Sequence, residues 1–332
     1  MADRYVGVHQ NPKGPGDDRP TAAQVIADEQ LEGKWRGKVA LITGCSSGIG
    51  IETARALAQT GATLYLTVCN LDKGKKALGD LYDSERVHLL KMDLESLDSV
   101  RSCAAEFSSK SQQLNTLILN AGVMATPEGR TKDGFETQFG TNHLAHFLFF
   151  NLLKDLLIKS STSEHNSRVV ILSSIAHRFG EVRFENLNLE NGAYDPNIAY
   201  SQSKTANLWT ANEIERRCGG QGLHAWSVQP GGIATNLMQH LSEEQVSGIS
   251  KDEHLSKIFK SPEQGAATTV WAATAAALEG KGGKYLEDCQ IIPAWEPSQG
   301  TWGPGYGPHA YDPEKEARLW DVSMKPTGLG NC

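Results

Sequence analysis

Tyr200 and Lys204 are the residues of this chain whose types and spacing point most directly to chemistry. On a helix, residues four apart share one face, so the two side chains can meet over one substrate. A tyrosine phenol has a reference pKa of about 10, and a nearby ammonium favours the phenolate and moves that pKa towards working pH. The pair can supply the proton donor and acceptor that alcohol–carbonyl chemistry needs. The same spacing also occurs on solvent-exposed helices without any catalytic role, so other motifs in the chain are needed to distinguish the two interpretations.

A glycine-rich loop is the second candidate site. An apolar segment, 38–43, runs into Gly44, Gly48 and Gly50, and residues 51–58 have a helix-forming composition. The order of strand, tight turn and helix is typical of a loop that lets the backbone approach a pyrophosphate at the positive end of a helix. The spacing is Gly-x-x-x-Gly-x-Gly rather than Gly-x-Gly-x-x-Gly. An ordinary glycine-rich turn is the alternative.

Strand and helix signals alternate after residue 36. Strands are predicted at 38–43, 62–68, 87–92, 115–119, 168–173, 223–229 and 284–286. Helices are predicted at 21–35, 48–60, 72–81, 96–110, 134–159, 197–219 and 262–278. Such alternation favours a parallel sheet covered on both faces, whose ligands bind beyond the carboxyl ends of the strands. Thr43, Asp93, Asn120, Ser174 and Pro230 all lie at or just after those ends.

Five motifs, taken in order, resemble those of the short-chain dehydrogenase/reductase family. They are Thr43-Gly44-x-x-x-Gly48-x-Gly50, Asn120-Ala121-Gly122, Ser174, Tyr200-x-x-x-Lys204 and Pro230-Gly231. The resemblance covers about residues 36–292, and segments 139–147, 168–174 and 200–204 are similar to the retinol-dehydrogenase and WW-domain-oxidoreductase-like branch. It implies an α/β fold: a single-domain, Rossmann-type, doubly wound parallel sheet of about seven strands. It also implies an NAD(P)-dependent oxidoreductase that interconverts an alcohol and a ketone or aldehyde.

The resemblance assigns four catalytic residues. Tyr200 is the general acid/base, Ser174 holds the substrate oxygen, and Lys204 contacts the nicotinamide ribose and lowers the pKa of Tyr200. Asn142 interrupts its helix and binds a water that reaches the lysine. A strand-end cap is the alternative for Ser174, and a polar helix residue is the alternative for Asn142. Between Ser174 and Tyr200 lies an insert that the branch shares, and we interpret its His177 as a loop or pocket residue.

The resemblance also implies a set of cofactor-binding positions. They are Thr43, Gly44, Ser46, Ser47, Gly48, Ile49, Gly50, Cys69, Asn70, Asp93, Leu94, Asn120, Ala121, Gly122, Tyr200, Lys204, Pro230, Gly231, Ile233 and Thr235. Asp93 is expected to accept from the adenine amino group, with a helix N-cap as the alternative.

The choice between the two nicotinamide cofactors depends on the end of the second strand. An acidic residue there binds the 2′-hydroxyl of NAD, and an arginine binds the 2′-phosphate of NADP. By alignment these positions are Val68 and Cys69, so neither determinant is present. Lys73, Lys75 and Lys76 follow just downstream. We therefore predict NADP(H), with NAD as the alternative.

Bulk properties exclude several classes of protein. The chain has 332 residues, a net charge of −7 and 39% apolar residues, so it can bury a sizeable core and presents no basic field for nucleic acid. Its six scattered cysteines suit a reducing, cytoplasmic location and give no metal-site signal. The most apolar helix, 144–158, contains charged residues and cannot span a bilayer. We interpret this helix as buried core or as the interface of a homodimer or tetramer.

The chain is divided into three regions by these patterns. Residues 1–35 are predicted to be an arm, loose over 1–20 and followed by a short helix. Residues 36–292 form the dehydrogenase domain, with a substrate lid at about 236–260, and residues 293–332 form an aromatic tail packed on it. We expect an apolar small-molecule substrate, but the lid mixes apolar and charged residues and so does not identify it. Two alternatives stay open: recruitment of the same fold to another biosynthetic step, such as double-bond reduction or aid to cyclisation, or a non-catalytic dinucleotide sensor or scaffold.

Overall fold

One eight-stranded sheet organises the chain in a computed structural model that describes residues 3–330. The strands are β1 (Val39–Thr43), β2 (Thr63–Val68), β3 (Val87–Lys91), β4 (Thr116–Leu119), β5 (Ser167–Leu172), β6 (Leu223–Gln229), β7 (Lys284–Glu287) and β8 (Gln290–Ile291). Their order is β3-β2-β1-β4-β5-β6-β7-β8, and every pair is parallel except β7 with β8. The predicted Rossmann-type sheet of about seven strands is confirmed, with one short strand added.

The additional strand follows a two-residue turn. Asp288 and Cys289 have φ values of 55° and 54°, the left-handed conformation that joins antiparallel strands tightly. Neither residue is the glycine that usually marks such a turn, so no local signal predicts β8.

Helices connect and cover the strands. They are α1 (Val6–His9), α2 (Ala22–Asp28), α3 (Ile49–Gln59), α4 (Leu71–Leu78), α5 (Leu97–Lys110), α6 (Thr137–Phe139), α7 (Ala145–Ser160), α8 (Pro196–Cys218), α9 (Glu243–Lys251), α10 (Glu253–Ile258), α11 (Pro262–Gly265), α12 (Ala267–Thr274) and α13 (Pro313–Met324). The predicted helix over 134–159 begins later and contains a π-helical turn, Gly140–Leu144, between α6 and α7. Within residues 3–330, no helix combines the length and the apolar character needed to cross a bilayer.

Strand alternation divides the core between the two faces of the sheet. Ala40 and Ile42 of β1 pack into the layer formed by α2, α3 and α12, whereas Leu41 packs into the layer formed by α5, α7 and α8. Because both faces are buried, the strand interiors are mainly apolar, and a ligand can reach polar side chains at the ends of the strands.

The N-terminal segment is packed rather than loose, so the loose-arm prediction is wrong for residues 3–20. Arg19 is 4% exposed, and its guanidinium donates to the carbonyls of Ile258 at 2.8 Å and Phe259 at 2.6 Å. Gly16 N–H donates to Oε1 of Gln264 at 2.9 Å. These partly buried hydrogen bonds hold the segment against the far end of the expected lid, a long-range contact that local composition does not reveal.

The C-terminal segment covers helices α7 and α8. Helix α13 packs on α8, and the ring of Trp320 lies 4.8 Å from that of Phe147 and 6.2 Å from that of Phe150. The apolar helix that we interpret as core or oligomer interface is therefore buried, at these positions, by its own chain.

Candidate active site

A cavity of about 1200 Å³ opens beyond the carboxyl ends of the parallel strands. It brings together most of the predicted site residues. Those lining it are Gly44, Ser46, Ser47, Gly48, Ile49, Gly50, Cys69, Asp93, Leu94, Asn120, Ala121, Gly122, Ser174, Tyr200, Lys204, Pro230, Gly231, Ile233 and Thr235. Thr43, Asn70 and Asn142 are not part of its wall, and each of them supports a neighbouring element instead.

The glycine loop has the geometry of a phosphate cradle. Gly44 has a φ of 77°, and a Cβ at this position would lie 2.7 Å from Cβ of Ala121. A side chain at Gly50 would overlap the carbonyl oxygen of Gly44. Helix α3 begins directly after Gly48, so its unpaired N–H groups and positive end face the loop. These features fit a dinucleotide pyrophosphate, and only glycine permits the close approach at both positions.

Thr43 lies beneath the cavity and joins two strand ends. Its buried Oγ1 accepts the N–H groups of Asn120 at 2.9 Å and Ala121 at 3.0 Å. Asn120 in turn donates from Nδ2 to the carbonyl of Thr43 at 2.8 Å, while its buried Oδ1 has no partner among residues 3–330. The Asn120–Ala121–Gly122 turn is thus held rigidly beside the glycine loop, with one acceptor left for a ligand.

Tyr200 and Lys204 lie one turn apart on helix α8. The helix begins where Asp195 accepts from Asn197 N–H at 2.8 Å, and Pro196 occupies its first position, which needs no N–H donor. Nζ of Lys204 is 5.4 Å from the centre of the Tyr200 ring and donates to the carbonyl of Leu172 at 3.2 Å. The predicted pair therefore meets at the end of β5.

Burial dominates the electrostatics of this pair. It raises the pKa of Tyr200 to about 12, and the neighbouring Ser174 hydroxyl opposes this shift. Burial also lowers the pKa of Lys204 to about 8. Burial therefore shifts the pKa of Tyr200 in the direction opposite to the expected effect of Lys204, whose lowering of that pKa remains a prediction. Tyr200 is consequently an acid at neutral pH.

The two serines after β5 have different partners. Ser173 is buried, and its Oγ donates to the carbonyl of Lys204 at 2.8 Å, so its hydroxyl is occupied in fixing α8 to the sheet. Ser174 lines the cavity beside Tyr200, and its Oγ accepts from Ala176 N–H at 3.1 Å. Ser174 therefore caps the following 3₁₀ turn, Ile175–Phe179, while its hydroxyl also faces the cavity.

Asn142 lies in the π-helical turn, directly behind the cavity wall. Its Oδ1 accepts from Val123 N–H at 2.8 Å, and its Nδ2 donates to the Val123 carbonyl at 2.9 Å and to Oγ of Ser203 at 3.0 Å. A Cβ added to Gly122 would lie 3.1 Å from Oδ1 of Asn142 and 3.5 Å from Nζ of Lys204. The carboxamide thus supports the loop after β4 and approaches the lysine, and its link to a water remains a prediction.

The two positions expected to select the cofactor lie at the end of β2 and differ in exposure. Val68 is 2% exposed and packs towards Gly74 of α4, where an added Cβ would lie 2.9 Å from its methyl groups. Cys69 is exposed, and it lines the cavity together with Val68 and Lys73. Asn70 instead caps α4 by accepting from Lys73 N–H at 2.9 Å. Cys69 is therefore the more accessible of the two positions.

Asp93 is also on the cavity wall, at the end of β3. Its carboxylate accepts from Glu95 N–H at 3.0 Å and pairs with Nζ of Lys132 at 2.6 Å, and these contacts hold its pKa below the usual range against the effect of burial. The helix that follows is capped by Ser96 rather than by Asp93, so the helix-cap alternative is wrong. Adenine recognition by Asp93 remains a prediction.

Several cavity residues lie outside the sequence-based set. They are His9, Gln10, Asn11, Pro12, Lys13, Arg19, Glu287, Asp288, Gln299, Trp302, Gly303 and Pro304. Glu287 was detectable in principle, because it directly follows the predicted strand 284–286 and ends β7 at the same edge of the sheet. Asp288 lies in the turn between β7 and β8, and the rest come from the two terminal segments, which carry no local signal for the site.

The fold and the cavity define a dinucleotide-binding α/β oxidoreductase. The family model described as short chain dehydrogenase matches residues 38–246. The chain belongs to the short-chain dehydrogenase/reductase family, and its cofactor is a nicotinamide dinucleotide.

Relatives place the chain within the retinol-dehydrogenase-like branch. It is 49% identical to short-chain dehydrogenase/reductase prx1 of Penicillium roqueforti, over 98% of this chain and 95% of the relative. It is 37% identical to retinol dehydrogenase 11 of Mus musculus, over 88% of this chain and 87% of that protein.

Solved structures share the fold. A putative uncharacterized protein from Mycobacterium paratuberculosis has a TM-score of 0.67 at 32% identity, covering 95% of this chain and 98% of that one. The Pseudomonas aeruginosa RhlG/NADP complex has a TM-score of 0.62 at 21% identity, covering 76% and 94%.

Proposed function

We propose that this protein is an NADP(H)-linked oxidoreductase, with NAD(H) as the alternative, that interconverts an alcohol and a ketone or aldehyde on an apolar small molecule. The observation that carries the proposal is the meeting of Tyr200, Lys204 and Ser174 in one cavity with the glycine loop. A dinucleotide sensor or scaffold would not need an acid, a cation and a hydroxyl converging beside the nicotinamide end of such a cavity.

The protonated state of Tyr200 suits the reductive direction. When bound, the nicotinamide cofactor supplies the hydride for the carbonyl carbon. Tyr200, whose pKa is raised to about 12, donates its phenolic proton to the carbonyl oxygen, and the Ser174 hydroxyl holds that oxygen. The Lys204 ammonium, with Nζ 5.4 Å from the ring centre, stabilises the phenolate that remains. In oxidation, the same groups act in the opposite order.

The substrate end of the cavity supports an apolar ligand. The segment 236–260, which includes α9 and α10, lines it with Leu237, Met238, Leu241, Ile249 and Leu255. We propose this segment as the substrate lid and residues 36–292 as the catalytic domain. A cytoplasmic location and a place in a biosynthetic, secondary-metabolite pathway are further parts of the proposal.

The first experiment is a screen of aldehydes, ketones and secondary alcohols with both cofactors, followed by Tyr200→Phe on the best substrate. This variant keeps the ring and removes the proton, so we expect turnover to fall at least ~100-fold with nearly unchanged cofactor affinity. Tyr82→Phe, outside the cavity, is the matched control and should retain full activity.

Retained activity in Tyr200→Phe would contradict the mechanism. Tight binding of the cofactor without turnover on any compound of the panel would instead favour the sensor or scaffold alternative.

A further inference from the structure

A buried histidine behind the cavity connects the end of β1 with Asn142. His146 lies in the first turn of α7, is 2% exposed and is not part of the cavity wall. Its Nε2 is 3.0 Å from Oγ1 of Thr43, and its Nδ1 is 3.0 Å from the main-chain oxygen of Asn142. One imidazole therefore spans the distance between the end of β1 and the π-helical turn.

The partners of this imidazole determine where its proton lies. Oγ1 of Thr43 already accepts two N–H groups, from Asn120 and Ala121, so its single hydrogen is free to donate to His146. Nε2 must then be the acceptor, and Nδ1 carries the proton that is donated to the Asn142 carbonyl. Burial lowers the pKa of His146 to about 4, which agrees with a neutral ring at working pH.

The Asn142 carbonyl, which accepts this hydrogen bond, lies in an irregular part of the helix. Ala145 N–H donates to the oxygen of Gly140, five residues earlier, which makes the turn π-helical. Such turns depart from regular helical hydrogen bonding and are frequent at functional sites. The imidazole supplies a fixed donor at this point, and the Asn142 carboxamide in turn holds Val123.

We propose that His146 is a positioning residue, which through its Nδ1–H tautomer holds the Asn120–Ala121 turn and Asn142 in register behind the active site. Every hydrogen-bonding group of the ring has a partner, so the connection is rigid, and losing either end leaves a buried polar group unpaired. The role rests on the proposed function only for its effect on turnover. Its effects on ring tautomer and on cofactor binding can be measured without any substrate.

The same helical region provides a matched control. His143 is also buried, at 1% exposure, and burial lowers its pKa to about 3. Its Nε2, however, bonds to Oγ of Ser323 in α13, at 2.9 Å, on the side away from the cavity. A substitution at His143 disturbs the same core without touching the connection between Thr43 and Asn142.

The tautomer is tested directly in the wild-type protein. Nitrogen-15 NMR of histidine-labelled protein should show His146 protonated at Nδ1 and unprotonated at Nε2 from pH 6 to pH 8, with the resonance assigned by its loss in His146→Asn or, if that variant does not fold, by through-bond correlations. Protonation at Nε2, or on both nitrogens, would overturn the proposal.

Three substitutions separate the two ends of the connection. Asparagine can replace Nδ1 but does not reach Thr43, so His146→Asn should weaken NADPH binding by about tenfold while saturated turnover stays close to wild type. Glutamine can replace Nε2 but loses the Asn142 contact, so His146→Gln should lower turnover by about tenfold with little change in NADPH affinity. His146→Phe removes both contacts, so it should weaken NADPH binding and lower turnover.

The control decides between a positioning role and general stability. His143→Phe should lower the melting temperature about as much as His146→Phe, yet leave NADPH affinity and turnover within about twofold. Equal effects of the two substitutions on binding and turnover, or wild-type behaviour of His146→Phe, would overturn the proposal. Loss of turnover in every protein, with unchanged differences in NADPH affinity, would refute the proposed reaction and leave the positioning role intact.

Discussion

Cofactor preference is the property for which the structure gives the sharpest prediction, at the end of β2. Cys69 is exposed on the cavity wall and carries no charge that could fix a 2′-phosphate. An arginine at this position can make a two-pronged, charge-assisted contact with the phosphate. A hydrogen bond to a charged group contributes about 1.5–3 kcal/mol, and the exposure of position 69 favours the lower value. We therefore expect Cys69→Arg to raise the preference for NADPH over NADH about tenfold, and Cys69→Asp to lower it by a similar factor.

The structure changes the choice of variant for the acidic determinant. By alignment that determinant belongs at Val68, so Val68→Asp is the substitution that the alignment alone suggests for favouring NAD(H). Val68 reaches the cavity wall, but it is 2% exposed and packs towards Gly74, so a carboxylate there would be largely buried. Such a charge costs several kcal/mol, and we expect Val68→Asp to unfold or destabilise the protein rather than to switch its cofactor.

The wild-type preference should depend on a lysine. Lys73 lines the cavity, whereas Lys75 lies over the ring of Tyr82, 5.7 Å from its centre, and Lys76 is absent from the cavity wall. An exposed ion pair contributes up to about 1 kcal/mol, so Lys73→Met should reduce the NADPH preference by no more than about fivefold. Lys76→Met is the matched control and should change nothing.

The assay is the ratio of kcat/KM for NADPH to that for NADH in each protein, at one fixed salt concentration because these contacts are screened by salt. A wild type that strongly prefers NADH would refute the cofactor assignment. A ratio unmoved by both Cys69→Arg and Cys69→Asp would show that the end of β2 does not approach the adenine ribose.

Two further predictions concern pH and assembly. The pKa of Tyr200 is raised to about 12, so its phenol stays protonated to high pH. Oxidation needs the phenolate, so kcat/KM for oxidation should rise about tenfold per pH unit between pH 6 and pH 8. In contrast, kcat/KM for reduction should stay constant until Lys204, whose pKa is lowered to about 8, loses its proton. Steady-state rates in both directions measure this, and an oxidation rate independent of pH would contradict it. We also expect light scattering at micromolar concentration to show a homodimer or tetramer. A measured mass of one chain would contradict that expectation. The packing of α13 on α8, which covers this face of the protein, would then explain the absence of assembly.

Local patterns were sufficient for the sheet and for most of the cavity wall. Apolar runs of strand length, alternating with helical segments, predicted seven of the strands to within two residues. Because the carboxyl ends of parallel strands meet at one edge of the sheet, the same pattern placed Asp93, Asn120 and Ser174 at that edge. The pattern did not extend to β8, whose turn lacks glycine, or to the π-helical turn around Asn142. In both places the backbone adopts a conformation that the residue types do not predict.

The sequence by itself determined which residue types stand at the ends of the strands, because period-two burial and glycine geometry act over a few neighbouring residues. Only the tertiary structure decided how deeply those residues are buried and what they contact. Burial of Tyr200 sets its pKa, the packing of α4 turns Val68 inward and leaves Cys69 outward, and Arg19 brings the N-terminal segment to the cavity through carbonyls near residue 258. His146 joins Thr43 across 103 positions of sequence. Desolvation and such distant hydrogen bonds depend on the whole fold, so no local spacing in the chain encodes them.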